Sequence, residues 1–261
     1  MHPFAMRLEQ AIFTSVRSER LDGYQLAARS GGVSEELAKE LTGWGPAHDS
    51  LWLSDPGASS VNFHALAADR FCVSQTTLAG AEYSGRGGGR VYTQMIVIPR
   101  DGLIKFGGDP FLVLRALVAS GRMMVYDTVP RELTPIPLIG RSSEGPPNWV
   151  QEVVEKVGAE TIAELSEGAR GQEPVTVITD LPVERLFQAM LYQLEPAERL
   201  DVSFTTGLKP SSRRAFKLTI APDDPSLVRQ SQRMHHGKVI EALTCDPHGT
   251  KRQKLTVARA R

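Results

Sequence analysis

The stretch EYSGRGGGRVYTQMIVI, Glu82 to Ile98, organises the reading of the whole chain. Its first part packs four glycines and two arginines into the six residues Gly85 to Arg90. Its second part, Arg90 to Ile98, is long, rich in β-branched and aromatic residues, and stops at Pro99. Such a segment reads as a strand of a buried sheet, because branched side chains pack on a pleated surface and proline cannot donate to a central ladder. The fold class follows from what flanks it.

Upstream, Leu8 to Val16 and Tyr24 to Ala28 read as a hairpin across a polar turn. Ser34 suits the N-cap of a short helix, Glu35 to Thr42, with Leu37 and Leu41 on its buried side. Val61 to Leu66 and Arg70 to Thr77 read as a second hairpin across Ala67-Ala68-Asp69. Downstream, Asp109 and Pro110 open a helix through Ser120 as N-cap and first helical residue. The first half is therefore an antiparallel sheet with packed helices.

Between Val129 and Pro147 five prolines and two glycines crowd the chain, and the segment reads as a connector. Beyond it come a helical pattern from Trp149 to Glu167, a strand at Val175 to Thr179, and a helix at Pro182 to Leu194. Strands at Leu200 to Thr205 and Ala215 to Ile220 follow. The expected class is α+β: an antiparallel sheet with helices, then a smaller βαββ-type unit. The expected division is a subdomain over 1–129, a Pro-rich connector over 130–147, a second α/β subdomain over 148–249 and a basic tail over 250–261.

The totals exclude several classes. At 261 residues, 41% hydrophobic and 23% charged, the chain can bury a sizeable core. Thirty basic residues balance thirty acidic ones, which argues against a nucleic-acid-coating protein, although a local patch can hide in a neutral total. Two distant cysteines, Cys72 and Cys245, fit a reducing compartment and exclude a disulfide framework. No apolar run is long enough to span a bilayer, and the start, MHPFAMRLEQ, does not read as a signal peptide. The chain is read as cytoplasmic and without membrane contact.

Five constellations are candidates for function. Gly85, Arg86, Gly87, Gly88 and Arg90 supply flexible backbone and two guanidinium groups, which suits an anion. The loop precedes a strand, whereas a dinucleotide fingerprint follows one, and no Gly-Lys-Ser/Thr is present. A surface hairpin connection explains the same residues. The second constellation, TTGLKPSSRR over Thr205 to Arg214, offers Lys209, Arg213 and Arg214 after a predicted strand, and a solvated turn explains it equally. The third is the corner WGPAHDSL, Trp44 to Leu51, where Trp44, His48 and Asp49 surround a Gly-Pro turn and suit either a rigid corner or a partner contact. The fourth, His235, His236, Cys245 and His248, lacks the two tight pairs of a zinc site. The fifth, Cys72 with His48 or His64 and Asp49, lacks any nucleophile motif. No catalytic residue, metal or cofactor is assigned.

Three stretches together carry a family resemblance. They are Glu9 to Ser15 with Gly23 to Gln25; Tyr83 to Arg86 with the strand through Gln94; and Arg199 to Pro210. The combination, extending from about Leu8 to Thr244, resembles the N-terminal domain of the bacterial GTPase-associated protein one family. In that family a Gly-Arg pair leads into a strand that often carries a histidine; here Gln94 stands in the matching strand. The resemblance implies a stand-alone adaptor or sensor of a GTPase-associated conflict or defence system rather than an enzyme. Its implied partner is a GTPase or NTPase of the same system. The alternative is a binder of a nucleotide or other phosphate-bearing ligand through the two basic loops.

Overall fold

The structure is a computed structural model, which describes residues 3–17, 22–53, 55, 57–81, 89–141, 145–235 and 237–244. The strand read from Arg90 to Ile98 is β5, Gly89–Pro99, and it is buried at every position from Arg90 to Ile98. It can be buried along its whole length because both faces are covered. Ile96 and Ile98 join the largest core cluster, while Met95 and Val97 join a second cluster on the other face.

Around β5 the first half builds as expected. Strands β1 (Pro3–Val16), β2 (Gly23–Arg29), β3 (Ser59–Leu66) and β4 (Arg70–Ala81) form antiparallel pairs β1–β2, β1–β5, β4–β5 and β3–β4. The β3–β4 turn places Ala68 and Asp69 at φ of 57 and 56 degrees, a left-handed conformation. Helix α1, Glu35–Trp44, is capped by Ser34, whose hydroxyl accepts from Leu37 N. Its buried side, Leu37, Ala38 and Leu41, packs on Phe13, Leu66, Met95 and Val97.

Pro99 is followed at once by a short helix α2, Arg100–Lys105, which the sequence reading does not contain. Helix α3, Pro110–Ala119, starts as read: Asp109 accepts from Phe111 N at 2.8 Å and Leu112 N at 3.3 Å. Asp109 is fully buried, and burial raises its carboxyl above the ordinary aspartate value although a Gln188 amide hydrogen bond opposes the shift.

The segment read as a connector holds a strand, β6 (Ile136–Arg141), which pairs antiparallel with Pro3 to Leu8 of β1. Pro137 is tolerated because among the described residues β6 pairs with β1 alone and so stands at an edge, where a missing donor breaks no second ladder. The helical pattern from Trp149 divides into α4 (Trp149–Val157) and α5 (Ala159–Arg170). Gly158 at φ 95 degrees makes the break, a conformation that a side chain resists.

The rest comprises β7 (Val175–Thr179), α6 (Val183–Leu191), a 3-10 turn at Glu198–Asp201, β8 (Phe204–Thr205), β9 (Leu218–Ile220), α7 (Pro225–His235) and β10 (Lys238–Ala242). Here β10–β7, β7–β9 and β8–β9 pair in parallel. The fold is α+β. Among the described residues one ten-stranded sheet runs β10-β7-β9-β8-β3-β4-β5-β1-β2, with β6 beside β1.

The two halves meet where β8 pairs antiparallel with β3, through Asn62 with Thr205 and Phe63 with Phe204. One core crosses that seam, taking Phe63, Val73 and Ile96 from the first half and Phe187, Met190 and Phe204 from the second. Among the described residues no helix is long and apolar enough to cross a membrane.

Candidate functional site: a corner locked by a basic loop

The structure joins two segments that the sequence separates, the Trp44 to Leu51 corner and the loop after β8. Leu51 and Leu208 form an antiparallel bridge, Lys209 N donates to Ser50 O at 2.7 Å, and Trp52 N donates to Gly207 O at 3.0 Å. The loop is also tied to β3, because Thr206 Oγ1 accepts from Val61 N at 2.8 Å and Thr205 Oγ1 donates to Asn62 Oδ1 at 2.6 Å. Lys209 Nζ then reaches Asp49 Oδ1 at 2.8 Å, with the Asp49 side chain 66% exposed. An exposed pair of this kind contributes about 0–1 kcal/mol, so its main effect is to orient the two side chains.

The corner leaves α1 through Gly45. A Cβ there would lie 2.4 Å from the Phe13 ring, so glycine lets the chain pass directly over the sheet. Asp49 sits at φ 58 degrees, which aspartate tolerates better than most residues. Beneath the corner, the Trp44 indole stacks on His64 with centroids 3.8 Å apart, and Phe216 closes the group at 5.1 Å from Trp44. His64 is buried, and desolvation lowers its pKa to about 4, which keeps the ring neutral at pH 7.

Arg214 is the unusual member. It is 7% exposed, its Nη1 donates to Gly45 O at a long 3.4 Å, and among the described residues its Nε has no hydrogen-bond partner. Burial lowers its pKa to about 10, with the neighbouring Arg213 charge adding to the effect. His48 Nδ1, in the same corner, is likewise buried with no partner among the described residues. Two unpaired polar nitrogens therefore sit under one exposed tip. A buried cation with one weak carbonyl contact is costly to hold. Replacing Arg214 by methionine is expected to raise the unfolding free energy by about 1–2 kcal/mol at pH 7. Urea unfolding of the full chain measures it.

The other candidates fall elsewhere. Gly85, Arg86, Gly87 and Gly88 lie outside the described residues. Arg90 is buried, and its Nε donates to Ala79 O at 2.8 Å. Strand alternation and its influence on the Tyr92 hydroxyl put Arg90 on the Tyr92 face of the sheet, opposite the face that carries α1 and His64. Arg213 is exposed. His236, Cys245, His248 and the tail over 250–261 lie outside the described residues, as does the side chain of His235. Cys72 stands directly across from His64 in the β3–β4 pair. Burial pushes its thiol up to about 12, so this neutral pair is a packed interior rather than an activated nucleophile.

Trp149 belongs to a different region, with the Arg185 guanidinium 5.7 Å from its ring. Gln94 is a buried tie. Its Nε2 donates to Gln10 Oε1 and to Arg122 O, and its Oε1 accepts from Met124 N, which fastens the segment after α3 to the sheet.

The scaffold that carries the corner is the part of the chain with a known kin. Residues 7–136 match the family described as GTPase-associated protein 1, N-terminal domain type 2. Through this region the chain belongs to that family. The match begins within β1 at Arg7, takes in β2 to β5, the corner and Gln94, and ends at the first residue of β6. The third stretch of the resemblance, 199–210, lies beyond it. In this type 2 domain, therefore, the corner lies in the matched region and the basic loop that locks it does not. No curated protein and no solved structure matches the chain.

Proposed function

We propose that this chain is a non-catalytic adaptor or sensor module of a bacterial GTPase-associated conflict or defence system. It acts by protein–protein contact through the Trp44 to Leu51 corner and the loop that holds it. The supporting observation is the locked corner itself. Asp49 is exposed at its tip, while hydrogen bonds to Gly207 and Lys209 and the Trp44–His64–Phe216 stack fix the backbone beneath it. A surface ordered before binding loses little conformational entropy on association. The family's association with GTPases makes a GTPase or NTPase component the partner class.

The test is affinity capture of the tagged full chain from the cells that encode it, read by mass spectrometry. A GTPase or NTPase is expected in the eluate, and Asp49→Arg is expected to reduce its recovery by about tenfold. An eluate without such a protein, or undiminished recovery with Asp49→Arg, contradicts the proposal.

A second reading is favoured by the unpaired nitrogens of Arg214 and His48. It places an anionic ligand, a nucleotide or other phosphate-bearing molecule, against Lys209, Arg213 and Arg214; Arg90, on the opposite face of the sheet and held by Ala79 O, takes no part. A rise in melting temperature with a nucleotide, abolished by Arg214→Met, supports it; no rise with any nucleotide removes it.

A further inference from the structure

A cavity adjoining the corner, which shares Leu51, Trp52, Thr206 and Gly207 with it, lies at the carboxyl ends of the parallel strands, and the topology explains its position. β7 leaves through α6 to reach β8, on the face where Val175 and Val177 meet Leu186 and Phe187. β9 leaves through α7 to reach β10, on the opposite face, where Ser231 bonds to Thr176 at 3.0 Å and Val228 packs on Ile178. β7 and β9 are neighbours in the sheet, and their outgoing connections depart in opposite directions. Such a switch point opens a crevice outside the strand ends, the usual place for a ligand in this architecture.

The crevice holds a cavity of about 180 Å³. Thr179 comes from the end of β7, Ile220 to Pro222 from β9, and Thr206 with Gly207 from β8. Residues 51–53 and 58–59 form the outer wall. The Trp52 indole is pinned there, since its Nε1 donates to Ile220 O at 2.6 Å.

We propose that this cavity is a binding site for a small, uncharged, ring-sized molecule. The size fits: a cavity of about 150 Å³ accommodates a benzene ring. The chemistry fits too. Leu51, Trp52, Ala58, Val183, Ile220 and Pro222 make the walls apolar, and among the described residues no ionisable side chain lines them. An ion entering would lose its hydration without gaining a counter-charge.

The hydroxyls set the polar preference. Thr179 Oγ1 is spent, donating to Ala242 O and accepting from Leu181 N. Thr206 Oγ1 accepts from Val61 N, and among the described residues its own proton meets no acceptor. Ser59 adds a third hydroxyl to the lining. The ligand class is therefore an aromatic or cyclic molecule with a hydrogen-bond acceptor.

The test uses benzyl alcohol as the neutral probe, with benzylamine and benzoate as its charged isosteres. Saturation-transfer NMR and titration are carried out on the full chain. Benzyl alcohol is expected to bind in the roughly millimolar range, as eight heavy atoms allow, and each ion about tenfold more weakly. Ala58→Phe and Val183→Phe fill the cavity from different walls, so the loss of one variant to misfolding leaves the other. Each folded variant is expected to weaken benzyl alcohol about tenfold or more. No binding of benzyl alcohol, equal binding of the ions, or undiminished binding in a folded variant overturns the proposal. Ala58 and Val183 lie outside the corner, so loss of benzyl alcohol in these variants is distinguishable from loss of a protein partner with Asp49→Arg.

Discussion

Phe204→Ala is expected to lower the unfolding free energy by about 3–5 kcal/mol, the largest effect of any single substitution considered for this chain. Phe204 is fully buried in β8, at the seam between the halves. Its ring stacks on Phe111 at 5.0 Å, meets Phe187 edge-on at 5.5 Å and lies 5.8 Å from Phe63. Truncation removes the area term and leaves a cavity bordered by rings from both halves. The loss is expected in a single cooperative transition, seen alike by far-ultraviolet circular dichroism and by tryptophan fluorescence in urea. A shift confined to one probe would mean that the halves unfold separately.

The second large effect concerns acid. His64 has an ordinary value near 6.5 in the unfolded chain and about 4 in the folded one. Between those values the unfolded state binds more protons, so stability falls as the pH drops from about 6.5 to about 4. The full loss is about 3 kcal/mol. Asp109 works in the opposite sense. Its raised carboxyl favours the folded state at low pH, and that contribution is lost as pH rises above the ordinary aspartate value. The comparison with His64→Phe isolates the histidine. The variant keeps an aromatic ring against Trp44 and is expected to show no histidine-linked loss in this window. Urea unfolding at pH 4, 5, 6 and 7 measures both proteins; parallel curves would assign the acid sensitivity elsewhere.

Much of the scaffold was legible because local signals and tertiary needs agree. Arg90 to Ile98 carries branched residues at positions that are all buried, and Pro99 ends it. Asp109 before Pro110 states a helix start that the hydrogen bonds to Phe111 and Leu112 bear out. Where they diverge, the reading misses. α7 and β10 have few large apolar residues, and their packing depends on Val228 and Ile240 finding β7. The prolines around β6, Pro137 among them, argue against a central strand and for a connector, and Pro137 is accommodated because β6 lies beside β1 at an edge. Gly158 splits what the spacing of apolar residues presents as one helix.

The site was legible in pieces. Trp44, His48 and Asp49 stood out by composition, as did Lys209 and Arg214. That Lys209 meets Asp49 and Arg214 meets Gly45 depends on β8 pairing with β3, a contact between segments far apart in sequence. The cavity at the strand ends had no sequence signal, because it exists only through the strand order β7-β9-β8. The feature most prominent in the sequence, the glycine–arginine run, contributes to the described structure through Gly89 and Arg90, with Arg90 held against Ala79 O.

The most direct test of the adaptor proposal is hydrogen exchange, followed by mass spectrometry, on the full chain alone and bound to the captured GTPase or NTPase. Added protection is expected in peptides covering 44–52 and 205–214, with peptides over β6 unchanged. Protection confined to other segments, with the corner exchanging as in the free chain, would contradict it.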